Sequence, residues 1–224
     1  ESLLSGEGED SNGIIIARFS KAAIVMDENN DVHRCHLRPN LAHLVAGDRV
    51  LWQKNEQGGV VSTQLERQSE IKRPDVRGHL KAVAANVDLI VIVIAPEPEP
   101  FGNLIDRYLV SAHLAGIDTV IALNKSDLVA TNKESRALLK RYETIGHTVI
   151  ETGPDDQSTS ALNDLLGDQT AVFVGQSGVG KSSMINRLIP DQELRVGALS
   201  ESVLKGKHTT TTTEVFLRPD GGLI

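Results

Sequence analysis

Eight residues, Gly175-Gln176-Ser177-Gly178-Val179-Gly180-Lys181-Ser182, carry the spacing G-x-x-x-x-G-K-S, with Ser183 directly behind. That spacing suits a polyphosphate. Glycine backbones can turn successive N–H groups onto one anion, and a helix opening inside the motif adds the positive end of its dipole. Lys181 is then placed to reach the β and γ phosphates, and the Ser182 hydroxyl to ligate Mg²⁺. The flanks provide the context this chemistry needs: the apolar run Ala171-Val172-Phe173-Val174 precedes the loop, and a helical pattern over 182–189 follows and stops at Pro190. A merely solvated glycine-rich turn does not account for strand, loop and helix together. Residues 175–183 read as a nucleoside-triphosphate site.

A second set, Asn124-Lys125-Ser126-Asp127, ends the apolar run 119–123 and is similar to the NKxD guanine-specificity motif of translation-factor-class GTPases. An aspartate carboxylate accepts two hydrogen bonds, from guanine N1–H and the exocyclic amine, a donor pair adenine lacks. In that motif Asn124 would hold base and loop, and the Lys125 stem would lie over the base plane. GTP and GDP are therefore the expected ligands. A third set, Gly206 to Thr213, has Thr209 and Thr210 as candidate Mg²⁺ ligands in a switch loop. His208 adjoins them. It is a candidate catalytic group that positions water beside Lys181, or else a solvated loop histidine. The order is unusual, because the guanine motif precedes the phosphate loop by about fifty residues. Circular permutation allows the same sheet to form from this order.

The chain must supply the elements that hold these loops. Between 88 and 174 apolar runs alternate with helical patterns: strands at 89–95, 119–123, 147–150 and 171–174, and helices from Asn103 to a stop at Gly116, over 133–145 and over 160–166. On the first helix Leu104, Ile105, Tyr108, Leu109 and Ala112 share a face. This is an α/β succession around a parallel sheet. Before it, five short strands at 14–17, 22–26, 32–37, 48–53 and 60–65 predict a small antiparallel barrel compatible with an OB-fold. Arg18, Lys21, Arg34, His36, Arg38 and Arg49 would form its RNA-facing side, or a solvated surface. Residues 1–10, with four acids and no base, read as a disordered tail, and 67–82 as a linker. The expected division is 1–10 tail, 11–69 barrel and 70–224 nucleotide domain.

Composition is that of an ordinary globular protein, 40% hydrophobic and 24% charged at a net charge of −7. The sequence has no apolar run of membrane-spanning length and no leader-like N-terminus. A single cysteine, Cys35, excludes internal disulfides, and a cytoplasmic setting fits. Residues 11–73 carry nine basic against seven acidic side chains, a mild bias toward an anionic partner. The start without Met and the stop at Leu223-Ile224, in the middle of a strand, read as a fragment.

The whole arrangement resembles the RsgA (YjeQ/YloQ) family of circularly permuted GTPases. The resemblance rests on Gly47-Asp48-Arg49-Val50, Ala84 to Asp88, Ile105 to Leu109, Asn124 to Asp127, Gly175 to Ser183 and Lys207 to Thr211. It implies an N-terminal OB-fold, a permuted P-loop GTPase domain and a C-terminal zinc domain. It also implies a monomer acting in late maturation of the 30S subunit, on 16S rRNA, with subunit-stimulated hydrolysis. The sequence departs from the family pattern in three places. Neither the DxPG segment nor the Zn²⁺-binding domain occurs within the 224 residues, and the stretch packing on guanine O6, usually Ser-Ser or Ser-Ala, is Thr152-Gly153. Two other readings stay open. One is an RNA-binding module that uses nucleotide only as a conformational ligand. The other is a P-loop kinase, which leaves the guanine motif unexplained.

Overall fold

The structure, a computed structural model, describes residues 10–41, 43–55, 58–131, 133–190 and 215–224. The expected tail (all but Asp10) and the 206–213 segment with His208, Thr209 and Thr210 lie outside them. The described residues form two compact units, one running to Asn86 and including Val215, the other from Val87 onward with Phe216–Ile224.

The first unit contains the barrel. Strands β1 (Ser11–Arg18), β2 (Ala22–Asp27), β3 (Val32–Leu37), β4 (Arg49–Asn55) and β5 (Gly58–Gln64) close in the order β1-β2-β3-β5-β4. The β3/β5 pair is parallel and the other pairs antiparallel, the strand order of an OB-fold. Alternation along the strands fills the interior with Ile15, Val25, Cys35, Val50, Trp52 and Val61. On β3 the same alternation sends Arg34 and His36 outward, and Lys21, Arg38 and Arg49 are exposed as well.

The expected linker is instead a hairpin. Strands β6 (Glu70–Pro74) and β7 (Leu80–Ala85) pair antiparallel. Asp75 sets the turn, its carboxylate accepting from the Arg77 and His79 N–H groups at 2.8 and 3.0 Å. The polar composition that reads as a linker reflects a ribbon whose outer half faces water on both sides, so no apolar face marks it.

A buried polar knot fastens the base of this hairpin. Asp48, fully buried, accepts from Arg67 Nε at 2.7 Å, Gln64 Nε2 at 3.1 Å and the Val45 N–H at 2.7 Å. Arg67 also reaches Glu70 at 2.9 Å, while Asn86 Nδ2 donates to the Gly47 carbonyl at 2.9 Å. These contacts give Gly47-Asp48 and Asn86, both inside the family-like motifs, a structural role. Asp48→Ala is expected to destabilise the chain by about 3 kcal/mol, because the Arg67 charge loses its buried partner. Urea denaturation measures this; a change under about 0.5 kcal/mol, the range of an ordinary surface substitution, contradicts it.

The second unit is a parallel sheet with helices on both faces. Strands β8 (Leu89–Ile94), β9 (Asp118–Leu123), β10 (Thr148–Glu151) and β11 (Ala171–Val174) lie in the order β10-β9-β8-β11, every pair parallel. All of β8 is buried, as a strand covered on both faces must be. Leu89, Val91 and Val93 pack with Leu162 and Leu166 of α3 (Asp156–Leu166) and with Met184 and Leu188 of α4 (Lys181–Leu188). The other helices are α1 (Gly102–Ala115), against β8 and β9, and α2 (Lys133–Thr144), against β9 and β10. Tyr142 of α2 donates to Asp106 of α1 at 2.8 Å. Ile105 and Ala112 of the predicted α1 face are buried; Leu104, Tyr108 and Leu109 are half-buried at its margin.

Phe216 and Ile224 exchange N–H···O bonds of 2.7 and 2.8 Å, and Leu223 bridges Thr170 in parallel beside β11. The intervening turn holds Arg218, 2% exposed, whose guanidinium donates to the Gly167 and Asn163 carbonyls at the end of α3. Lone carbonyls at a helix C-terminus favour such a cation.

Candidate nucleotide-binding site

The chain lays down β8, β9 and β10 in one direction and then returns to place β11 on the other side of β8. This reversal puts the loops after β8 and β11 on opposite sides of a crevice at the carboxyl end of the sheet, where open α/β sheets bind ligands. The loops at 95–101, 124–127, 152–155 and 175–180 all issue from carboxyl ends of these strands.

In the loop after β11, Gly175 has φ 141° and Gly180 has φ 96°, conformations that disfavour any side chain. A Cβ on Gly175 would run into the Val93 carbonyl oxygen and one on Gly180 into the Asn124 amide. Gln176 is half-buried, Ser177 and Gly178 are exposed, and Val179 is fully buried as the anchor beneath the loop. Lys181 Nζ donates to the Gly175 and Gln176 carbonyls at 2.9 and 2.6 Å, which folds the ammonium across the loop. Burial pushes its pKa below the ordinary lysine value, a desolvation cost that an adjacent phosphate would offset. Ser182 and Ser183 are exposed on the first turn of α4.

The loop after β9 meets this one through Asn124. Its side chain is 4% exposed; Nδ2 donates to the Val179 carbonyl at 2.9 Å, and Oδ1 accepts from the Thr152 hydroxyl at 3.2 Å. Thr152 is itself 2% exposed, so its side chain braces Asn124 from behind. Lys125, at φ 58°, sends Nζ to the Glu97 carbonyl at 2.6 Å, and Pro98 lies against Gly178. The Pro-rich loop after β8 thus forms one wall of the crevice. Ser126 is half-buried, and Asp127 stands exposed at the start of a short 3₁₀ turn, Ser126–Thr131, its carboxylate open to solvent. The structure therefore gathers Asn124, Lys125, Ser126, Asp127, Thr152 and 175–183 at one end of the sheet.

The comparison with solved structures agrees with this geometry. The structure of YjeQ from Thermotoga maritima superposes with a TM-score of 0.75 at 28% identity, covering 96% of this chain and 73% of that one. YloQ, described as a circularly permuted GTPase, gives a TM-score of 0.66 at 28% identity over 99% of this chain and 72% of that one. The model of the family described as RsgA GTPase matches residues 64–224. The chain belongs to the RsgA GTPase family. Among its relatives, the small ribosomal subunit biogenesis GTPase RsgA of Azotobacter vinelandii is 51% identical over 99% of this chain and 67% of its own length. That of Pseudomonas aeruginosa strain PAO1 is 50% identical with the same coverage. The OB-type barrel and permuted GTPase sheet expected from sequence are those of the RsgA family.

Three contacts at the site lie outside the two motifs. Glu97 takes part only through its carbonyl, which carries no side-chain signal. Thr152 acts through Asn124 from 28 residues away. Asp155 caps α3 by accepting the Ser158 N–H at 2.8 Å; the Asp-x-x-Ser spacing at 155–158 is a capping pattern visible in the sequence.

Proposed function

We propose that this chain binds and hydrolyses GTP as a switch in maturation of the small ribosomal subunit, the process named for its RsgA relatives. The observation that carries the reading is the Asn124 side chain, which joins the guanine-type loop to the phosphate loop through Val179. One nucleotide spanning both loops explains that junction; two separate sites do not. Asp127 selects the base, Gly175–Ser183 cradle the phosphates through backbone N–H groups, and Lys181 neutralises the β and γ oxygens.

Mg²⁺ fits the residues present. It keeps several waters and takes few protein ligands beside substrate phosphates, and the exposed Ser182 hydroxyl supplies one such oxygen. The described residues contain no cluster of three or more His, Cys, Asp or Glu, as a metal cage would need. The ion would add positive charge against the phosphates. Thr209 and Thr210 are proposed as its further ligands and His208 as the group that positions water. In this reading the barrel at 11–69 takes 16S rRNA through Arg18, Lys21, Arg34, His36, Arg38 and Arg49. The nucleotide chemistry belongs to 70–224, and the protein works as a cytoplasmic monomer on the 30S subunit. None of its described helices is long and apolar enough to cross a membrane. Zn²⁺ is assigned to the family's C-terminal domain and to no residue of this chain.

The test is single-turnover GTP hydrolysis with and without purified small subunits. Subunit-dependent acceleration is expected. GTP-dependent subunit binding without any turnover would favour an RNA-binding module for which nucleotide is a conformational ligand.

A further inference from the structure

The chain passes between its two compact units twice, at Asn86–Val87 and again at Val215–Phe216. Each passage starts from a firm anchor inside the barrel unit. At the first, the Asn86 N–H donates to the Ser69 carbonyl at 2.9 Å and its side chain to the Gly47 carbonyl at 2.9 Å. The second uses a gap in the barrel's own ladder. Strand β1 pairs Ile15 with Val25 and Ala17 with Ile24, so a bulge leaves Ile16 opposite no residue of β2. The Ile16 carbonyl instead accepts the Val215 N–H at 2.8 Å, and both residues are buried.

Inside the sheet unit the two passages are tied to one residue. The Asp88 and Leu89 N–H groups donate to the Thr170 carbonyl at 2.9 and 3.2 Å, and Asp88 Oδ2 accepts the Thr170 N–H at 2.8 Å. Leu223 bridges the same Thr170, its carbonyl accepting the Ala171 N–H at 2.8 Å. Between Phe216 and Leu223, Arg218 fixes the strap to the end of α3. Thr170 leads into β11, and β11 runs straight into the phosphate loop. One peptide link lets two units turn freely. A second link without slack restricts that turning, because consecutive Cα atoms are held about 3.8 Å apart. We propose that residues 215–224 are a coupling strap that makes the stability of the barrel answer to nucleotide bound on the sheet unit. The Val215 N–H is its anchor in the barrel, and Arg218 its anchor in the sheet unit. The nucleotide half of the proposal rests on the guanine-nucleotide reading of the site; the strap half does not. Bound nucleotide stabilises the unit that holds it, and the strap passes that stabilisation on.

Two signals separate the units. Trp52, the chain's single tryptophan, sits in the barrel core, and all four α-helices of the described residues lie in the sheet unit. Urea unfolding of the full chain is followed by Trp52 fluorescence and by helical circular dichroism, with and without GDP. In the wild-type chain the two transitions should coincide, as for one cooperative body. GDP at about 100 times its Kd should then raise the folding equilibrium constant about a hundredfold at both signals. Val215→Pro removes the N–H, and Val215→Ala keeps it. The proline variant should split the transitions. GDP should then act on the helices and change the Trp52 transition less than about twofold, since a unit that binds no ligand gains nothing from it. The alanine variant should behave as wild type. Arg218→Met frees the other end of the strap and should split the transitions as well, which decides the matter if the proline variant does not fold. Wild-type transitions that are already separate, or variants whose transitions stay together, overturn the proposal. Failure of the nucleotide reading is visible separately. GDP would then move neither signal in the wild-type chain, which removes the nucleotide half, while the splitting in the variants still decides the strap.

Discussion

Replacing Asp127 with asparagine is expected to weaken GDP binding by roughly 10⁴-fold, the scale on which sites built around buried polar pairs reject a mismatched partner. The amide turns one carboxylate acceptor into a donor, which then faces guanine N1–H or the amine donor to donor. Xanthine presents a keto oxygen where guanine has its amine, so the mutant should prefer xanthosine diphosphate. The exposed carboxylate at the start of the 3₁₀ turn makes the change tolerable for folding. Competition binding with both nucleotides measures it, and a mutant that retains the wild-type preference for guanine would falsify the assignment of the base loop.

The second large effect is expected at Lys181. Lys181→Ala removes the cation folded over the phosphate loop and should lower affinity for GTP by roughly 10²–10³-fold, the range for losing a donor aimed at phosphoryl charge. Its partners in the structure are the Gly175 and Gln176 carbonyls within the loop, so the circular dichroism spectrum should not change. Burial lowers the Lys181 pKa, so the charge is held at some cost that an adjacent phosphate would offset. Near-normal GTP affinity in this mutant would detach the motif from phosphate binding.

What can be read in advance is uneven, for physical reasons. Strand β8 is legible because both of its faces are covered, so every position from Leu89 to Ile94 is apolar. The loops at 124–127 and 175–183 are legible because their residue types and spacing match what nucleotide chemistry demands, independent of the surrounding fold. The hairpin of β6 and β7 is hidden because Lys72, Arg73 and Lys81 face water. Its position depends on the Asp48–Arg67 pair, 19 residues apart, and on Asn86 reaching Gly47 across 39. Arg218 reads as an ordinary surface cation in sequence, yet it is buried because the end of α3, some 50 residues earlier, offers it carbonyls. Thr152 reads as a residue of the base site, and its link to Asn124, 28 residues away, is not visible in its own stretch of sequence. In each case the deciding contact joins two segments, and neither segment alone carries its pattern.

The Asn124 junction also orders events while the chain is being made. Its acceptor, the Val179 carbonyl, lies 55 residues downstream, an interval of roughly 3–11 s at typical rates of synthesis. Until then the amide has no acceptor at that position, and β8 lacks β11 along one edge. A buried polar group without a partner costs about 1–3 kcal/mol, so the base loop cannot settle into its native form ahead of the phosphate loop. In an unpermuted order the phosphate loop would already be waiting when the base loop emerged. Here the loop proposed to choose the nucleotide is translated first and completed last, and on that reading a nascent chain would gain its grip on guanine nucleotide only after Val179 has been added.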